Sequence, residues 1–256
     1  MTLLGLALAS AAPGHALRGD EALGPDVAAT ALGGAVWLQS ELGKPMFAAA
    51  CRVCESNAVD IGVRAALRLD DTSRLDAWST PALLAPAALG FVSVATLALH
   101  GSVGEAAANV TYVVEAIVVA ADVNQAAKYS FARLRPYAWA LGPDAALADP
   151  DAALSFYSGH TTLAFAAAAA AGTLADLRGY RAAPWVWAVG LTVATGVGYT
   201  RIAGDDHWLT DVAAGAGMGV LSGELVPRLL HPRVAGASAV RVSVVPGPVV
   251  VASGGF

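Results

Sequence analysis

Three short stretches hold most of the residues able to do chemistry. The first, Lys128-Tyr-Ser-Phe-Ala-Arg-Leu-Arg135-Pro136, carries two cations seven positions apart. On a continuous helix that spacing puts them two turns apart on one face, with about 10 Å of rise between them. Two long side chains so placed can converge on one anion, and Pro136 bars a regular helix from continuing. Taken alone, such cations read more simply as anchors at a membrane surface. The second stretch is Tyr157-Ser158-Gly159-His160-Thr161-Thr162. Ser158 suits an N-cap, Gly159 lets backbone approach a ligand, and the first-turn N–H groups with the helix dipole form an anion site beside His160. An N-cap followed by an interfacial histidine is the equal alternative.

The third stretch is Thr200-Arg201-Ile-Ala-Gly-Asp205-Asp206-His207-Trp208-Leu209-Thr210-Asp211. His207 and Asp211, four apart, share a face if both lie on a helix, so Asp211 can accept a hydrogen bond from one imidazole nitrogen. That bond selects the tautomer and frees the other nitrogen as a nucleophile. Arg201 offers a forked guanidinium suited to phosphate. Asp205 and Asp206 are read as caps for the helix that follows. A structural His–Asp pair within a bundle is the competing explanation. Together the stretches supply two histidines, three cations, a helix N-terminus and an orienting carboxylate, the set that phosphoryl transfer through a phosphohistidine needs.

Each stretch sits where an apolar run ends, so the runs must position them. Spanning a bilayer takes roughly 17–25 mostly apolar residues. Runs at 81–100, 160–175 and 184–199 are uncharged or nearly so, and 209–226 is rich in Gly and Ala, which favours close helix approach. The run at 106–127 is interrupted by Glu115, Asp122, Asn124 and Gln125, and 27–42 is the weakest. The expectation is six membrane helices, with a soluble helical bundle as the alternative. Glu115 and Asp122 share an inward face, as a buried hydrogen-bonding pair or as support for Lys128 or a headgroup.

Composition agrees. Charged residues make up 14% of the 256, apolar residues 56%, and the mean hydropathy is +0.58; soluble domains carry about 25% charge. With 20 acids against 15 bases and a pI near 5.4, the chain lacks the clustered basic surface of a nucleic-acid binder. Cys51 and Cys54 are too few for a disulfide scaffold or a four-ligand zinc site. A local bridge in an oxidising compartment and two inert thiols both remain open. Residues 3–9 are apolar but lack the positive flank of a secretory signal. Residues 41–80 form a polar extramembrane segment, and the alternating valines after 239 suit a short hairpin or a disordered tail.

The three stretches closely resemble the type-2 phosphatidic acid phosphatase superfamily, which shares its site with vanadium haloperoxidases. The family pattern is Lys-x6-Arg-Pro, Pro-Ser-Gly-His and Ser-Arg-x5-His-x3-Asp. Lys128, Arg135 and Pro136 match the first block, Ser158, Gly159 and His160 the second, and Arg201, His207 and Asp211 the third. Tyr157 replaces the usual Pro and Thr200 the usual Ser, which puts local geometry and substrate preference in question more than chemistry.

The resemblance, over about residues 80–230, implies an all-α, six-helix transmembrane bundle. The expected organisation is an N-terminal region (1–79), a phosphatase core (80–230) and a tail (231–256). It implies His207 as nucleophile, Asp211 as its orienting partner and His160 as general acid. Lys128, Arg135, Ser158, Gly159 and Arg201 bind the phosphoryl oxygens. It implies no metal and no cofactor, a lipid phosphate or diphosphate substrate, and a site facing the periplasm or exterior from a bacterial inner membrane. A vanadate-dependent haloperoxidase and a silent scaffold or transporter of the same fold are the alternative functions. Nothing in the sequence speaks to oligomeric state.

Overall fold

The computed structural model describes residues 23–47, 50–72, 90–98, 102–142, 149–231, 241–243 and 251–253. Helices α1 (Gly24–Leu42), α2 (Lys44–Phe47) and α3 (Ala58–Leu67) come first. Residues 90–98 are helical (α4), within the expected run at 81–100. Then follow α5 (Val103–Phe131), α6 (Pro136–Leu141), α7 (Gly159–Leu177), α8 (Ala183–Ala203) and α9 (Leu209–Leu225), with a π-helical turn, Val226–Leu230. The expected runs at 27–42, 106–127, 160–175, 184–199 and 209–226 therefore appear as α1, α5, α7, α8 and α9. The polar 41–80 segment contains α2 and α3. In the tail, Arg241–Ser243 pairs antiparallel with Val251–Ser253, the hairpin of the two alternatives. The apolar stretch at residues 3–9 lies outside the described residues.

Local chemistry sets the helix starts. Ser102 Oγ accepts the Glu105 N–H at 3.0 Å to open α5, and Asn57 Oδ1 accepts the Asp60 N–H at 2.9 Å to open α3. Pro136 and Pro184 each sit in a first turn, where the missing N–H costs nothing.

Helix α7 is the centre of the bundle and packs against α5, α8 and α9. Its Ala166–Ala171 run is buried, because a helix surrounded by others has room only for small side chains. Helix α9 runs parallel to it through Gly215, Gly219 and Gly223. A Cβ at Gly219 would meet the Thr162 carbonyl oxygen at 2.4 Å, and one at Gly223 the Ala170 nitrogen at 2.6 Å. Helix α1 also runs parallel to α5, with Gly33 against Asp122 and Ser40 against Tyr129, whose hydroxyl donates to the Ser40 carbonyl at 2.6 Å. Glu115 bonds His231 at 2.6 Å. Glu115 and Asp122 thus face different neighbours rather than each other.

Among the described residues, one helix, α5, is by itself long and apolar enough to cross a membrane. Large apolar side chains nevertheless face outward from α1 (Leu32, Val36), α5 (Val119, Val123), α8 (Val189) and α9 (Leu221), the surface a bilayer would cover. The alternation of helices brings the C-termini of α5 and α8 and the N-termini of α7 and α9 to one end. At the other end Arg178 Nε donates to Asn109 Oδ1 at 3.0 Å, and Asn109 Nδ2 to the Tyr180 hydroxyl at 3.0 Å.

This packing reverses the usual effect of a helical Gly→Ala change. Gly217, with nothing within 4 Å of its Cβ position, should gain up to about 1 kcal/mol when replaced by Ala. Gly219→Ala should instead lose about 1–3 kcal/mol through overpacking against backbone. Thermal unfolding of the two variants in detergent tests the opposite signs; a stabilised Gly219→Ala would contradict the packing.

Candidate active site

Helix α5 ends at Phe131, and Ala132 takes a left-handed conformation, φ 42°. The chain leaves the helix axis there, so Lys128 and Arg135 do not share a helix face as their spacing suggested. Lys128 stays on the last turn of α5, and Arg135 stands at the N-cap of α6. Pro136 therefore begins a helix as well as barring the extension of α5. Both cations are buried at the same end of the bundle.

Residues 132–135 are held on two sides. The Arg52 N–H donates to the Ala132 carbonyl at 2.9 Å and the Leu134 N–H to that of Val53 at 3.0 Å, a parallel bridge. A Cys51–Cys54 disulfide closes the turn around Arg52 and Val53, the bridged alternative of the two. On the other side the Arg135 N–H donates to the Ala152 carbonyl at 2.8 Å and the Ser155 N–H to that of Arg133 at 2.9 Å.

Ser158 occupies the N-cap position of α7, but its side chain makes no cap hydrogen bond. Its Oγ accepts from Thr161 Oγ1 at 2.9 Å and its carbonyl from Thr162 Oγ1 at 2.7 Å. Gly159 is needed for space: a Cβ there would lie 3.0 Å from Asn124 Oδ1 and 3.4 Å from Lys128 Nζ. The Lys128 ammonium thus rests over the N-terminus of α7, with His160 in that helix's first turn. Tyr157 contributes its carbonyl, which accepts from Asn124 Nδ2 at 2.7 Å; any residue can do that, so the departure from Pro keeps this contact. Thr200 is turned back into α8, its hydroxyl donating to the Val197 carbonyl at 2.7 Å.

The third stretch differs most from expectation. Helix α9 begins at Leu209 with Trp208 as N-cap, so His207 lies outside it and no shared helix face relates it to Asp211. His207 Nδ1 is 3.8 Å from Asp211 Oδ2, too long for a hydrogen bond. Ser155 mediates, with its Oγ donating to Asp211 Oδ2 at 2.5 Å and lying 3.5 Å from His207 Nδ1. The other Asp211 oxygen accepts from Arg133 Nη1 at 2.5 Å. Asp205 and Asp206 do not cap α9. Asp205 takes a bidentate pair from Arg64, both contacts at 2.6 Å. Asp206 lies 2.7 Å from Arg201 and 3.5 Å from Arg135. The Arg201 carbonyl accepts the N–H groups of Asp206 and His207, each at 3.1 Å, which carries the end of α8 directly into the histidine.

Arg133, Asp60, Ser155 and Thr210 were not picked out from the sequence. Arg133 lay inside the first stretch as a third cation. Asp60 was one of six acids in the polar segment, with nothing to distinguish it, yet it is fully buried.

The structure thus gathers Lys128, Arg135, Arg201, Ser158, Gly159, His160, His207 and Asp211 at one end of the bundle. Burial, and then the charges of Arg135, Arg201 and Lys128, hold the His207 imidazole well below its usual range. It is therefore neutral at physiological pH, with a lone pair available among fixed cations. A cleft of about 520 Å³ opens beside Arg135 and Asp206 and is walled by Arg64, Arg68, Tyr137 and Asp149. Among the described residues, one trio with metal-ligating types converges, Asp26, Glu115 and His231. It lies apart from the site: Glu115 precedes Lys128 by thirteen residues, about 20 Å of helix.

Residues 109–235 match the PAP2 superfamily. Over 100 residues the chain is 44% identical to a lipid A 1-phosphatase of Porphyromonas gingivalis, a match that takes in 39% of this chain and 19% of that relative. In fold it is similar to a transmembrane PAP2-type phosphatidylglycerolphosphate phosphatase of Bacillus subtilis. The TM-score is 0.51 at 20% identity, over 77% of this chain and 96% of that one.

The neutral state of His207 is directly observable. In the detergent-solubilised protein carrying ¹⁵N-labelled histidine, the His207 resonances, assigned by their loss in His207→Ala, should stay those of a neutral ring from pH 8 to pH 5.5. A titration midpoint near 6.5 would contradict the electrostatics described.

Proposed function

Because residues 109–235 match the PAP2 superfamily, we propose that this chain is a membrane protein that hydrolyses a lipid phosphate or diphosphate without a metal, through a phosphohistidine on His207. The observation that carries the proposal is the convergence of two histidines, three buried cations and two helix N-termini at one end of the bundle. Phosphoryl transfer is mainly positioning and charge stabilisation, and three fixed cations can take the part metal ions play elsewhere.

In this reading Nε2 of His207 attacks phosphorus, since Nδ1 faces Ser155 and Asp211. The bond from phosphorus to the leaving oxygen breaks as His160 donates a proton to that oxygen. Water then attacks the phosphohistidine, His160 takes its proton, and inorganic phosphate leaves with His207 regenerated. Lys128, Arg135 and Arg201 hold the phosphoryl oxygens, with Ser158 and the Gly159 N–H. Asp206, seated on Arg135 and Arg201, must yield part of its hold when phosphate enters. The polar cleft beside Arg135 is where the rest of a headgroup would lie. The similarity to a lipid A 1-phosphatase supports a phosphorylated sugar headgroup among candidate substrates, alongside phosphatidic acid and phosphatidylglycerol phosphate.

The site is read as facing the periplasm or exterior. The Cys51–Cys54 disulfide supports this, because it belongs to the turn that pairs with residues 132–134 at the site's end, and disulfides persist in oxidising compartments.

Phosphate release from short-chain phosphatidic acid, phosphatidylglycerol phosphate and lipid A, in detergent with EDTA present, tests the reaction. The wild type should release phosphate from at least one, and His207→Ala should release none. His160→Ala should lose about a hundred- to ten-thousand-fold in kcat. EDTA-sensitive turnover, or equal release by His207→Ala, would reject the mechanism. For orientation, Cys51 and Cys54 reduced in intact spheroplasts should react with a membrane-impermeant maleimide. Labelling only after lysis would reverse the assignment.

A further inference from the structure

Asp211 is the group expected to orient His207, yet it does not touch the imidazole. Its position is fixed from elsewhere. Arg133 extends Nη1 to Asp211 Oδ1 at 2.5 Å and to Thr210 Oγ1 at 2.8 Å, and Nη2 to Asp60 Oδ2 at 2.7 Å. Asp60, from α3, binds the first turn of α9 on its own account. It accepts the Thr210 N–H at 2.9 Å on Oδ1 and the Thr210 hydroxyl at 2.7 Å on Oδ2. Asn57 Nδ2 also donates to Asp60, at 2.6 Å. Both carboxylates are fully buried. A charge removed from water costs several kcal/mol unless it is paired and hydrogen-bonded. One guanidinium shared by two carboxylates, with every oxygen taken, leaves Asp211 a single low-energy placement. From there its remaining oxygen holds the Ser155 hydroxyl against His207 Nδ1.

We infer that Asp60 and Arg133 are positioning residues of the phosphatase reaction, acting through Asp211 and Ser155 on the orientation of the His207 ring. The inference rests on the phosphatase reading given above. It extends the working site to α3, outside the 109–235 span that matches the superfamily, and makes the N-terminal polar segment part of the machinery.

A tie that merely holds the segments together would change stability and leave the turnover of folded enzyme as it was. A double-mutant cycle separates the two roles. Asp60→Asn should lower kcat about a hundredfold, the scale of a small misplacement, with KM little changed. In an Asp211→Asn background the same change should cost nothing further, because its route to the histidine is already cut. Thr210→Val keeps size and backbone, removes one hydroxyl from the network and should lose about tenfold in kcat, again only when Asp211 is present. Equal losses in both backgrounds, or unchanged kcat in folded Asp60→Asn and Thr210→Val, would overturn the proposal. Absence of phosphate release by the wild type from any of the three lipids would fell the phosphatase reading itself, and this inference with it. Loss confined to the variants isolates the positioning role.

Discussion

The close parallel packing of α7 and α9 is the constraint on which the site depends. Three glycines of α9, at 215, 219 and 223, lie against the backbone of α7. The contact fixes the register of the two helices and brings their N-termini side by side, with the Ser158 N–H bonded to the Asp211 carbonyl at 3.1 Å. Two helix N-termini then point the same way, a concentration of positive partial charge that favours an anion. The ends of α5 and α8 add Lys128 and Arg201. The proposed phosphate cradle is thus a product of helix packing, with side chains completing a field the backbone begins.

That field must be balanced, and the carboxylates around it do so. Asp206 sits on Arg201 and Arg135, Asp205 takes Arg64 of α3 and Arg68 just past its end, and Asp151 lies 3.1 Å from Lys44. None of these acids faces an imidazole with a hydrogen bond. Burial, and then the surrounding cations, keep His207 neutral, while the compensating charge is held one layer further out. A carboxylate in direct contact would have the opposite effect on the ring, raising its proton affinity.

The sequence disclosed the helices well, because apolar runs ended at charged clusters and those ends are where α5, α7, α8 and α9 start or stop. Residue types and their order singled out the residues that the structure gathers at one end of the bundle. The sequence misled on local geometry at several points, two of them at the centre of the site. Lys128 and Arg135 were read as one helix face, but the left-handed turn falls on Ala132, which gives none of the warning a glycine would give. His207 and Asp211 were read as neighbours on a helix that begins only at Leu209. Asp60 was out of reach altogether, since its importance comes from burial against residues some 150 positions away. Periodicity reports on neighbours along a helix and is silent about such contacts.

That separation also bears on how the protein is made. Asp60 leaves the ribosome long before Thr210, and Arg133 and Asp211 are 78 positions apart. During synthesis the acid of α3 and the arginine after α5 can pair with each other, while their bonds to Thr210 and Asp211 must wait for α9. Both stand at the end of the bundle rather than midway along a span, where water can solvate them in the meantime. Those bonds form only once α9 is in place, so a chain that stops short of α9 has Lys128, Arg135 and Arg201 but no seat for the ring among them. The docking of α9 therefore also completes the proposed site.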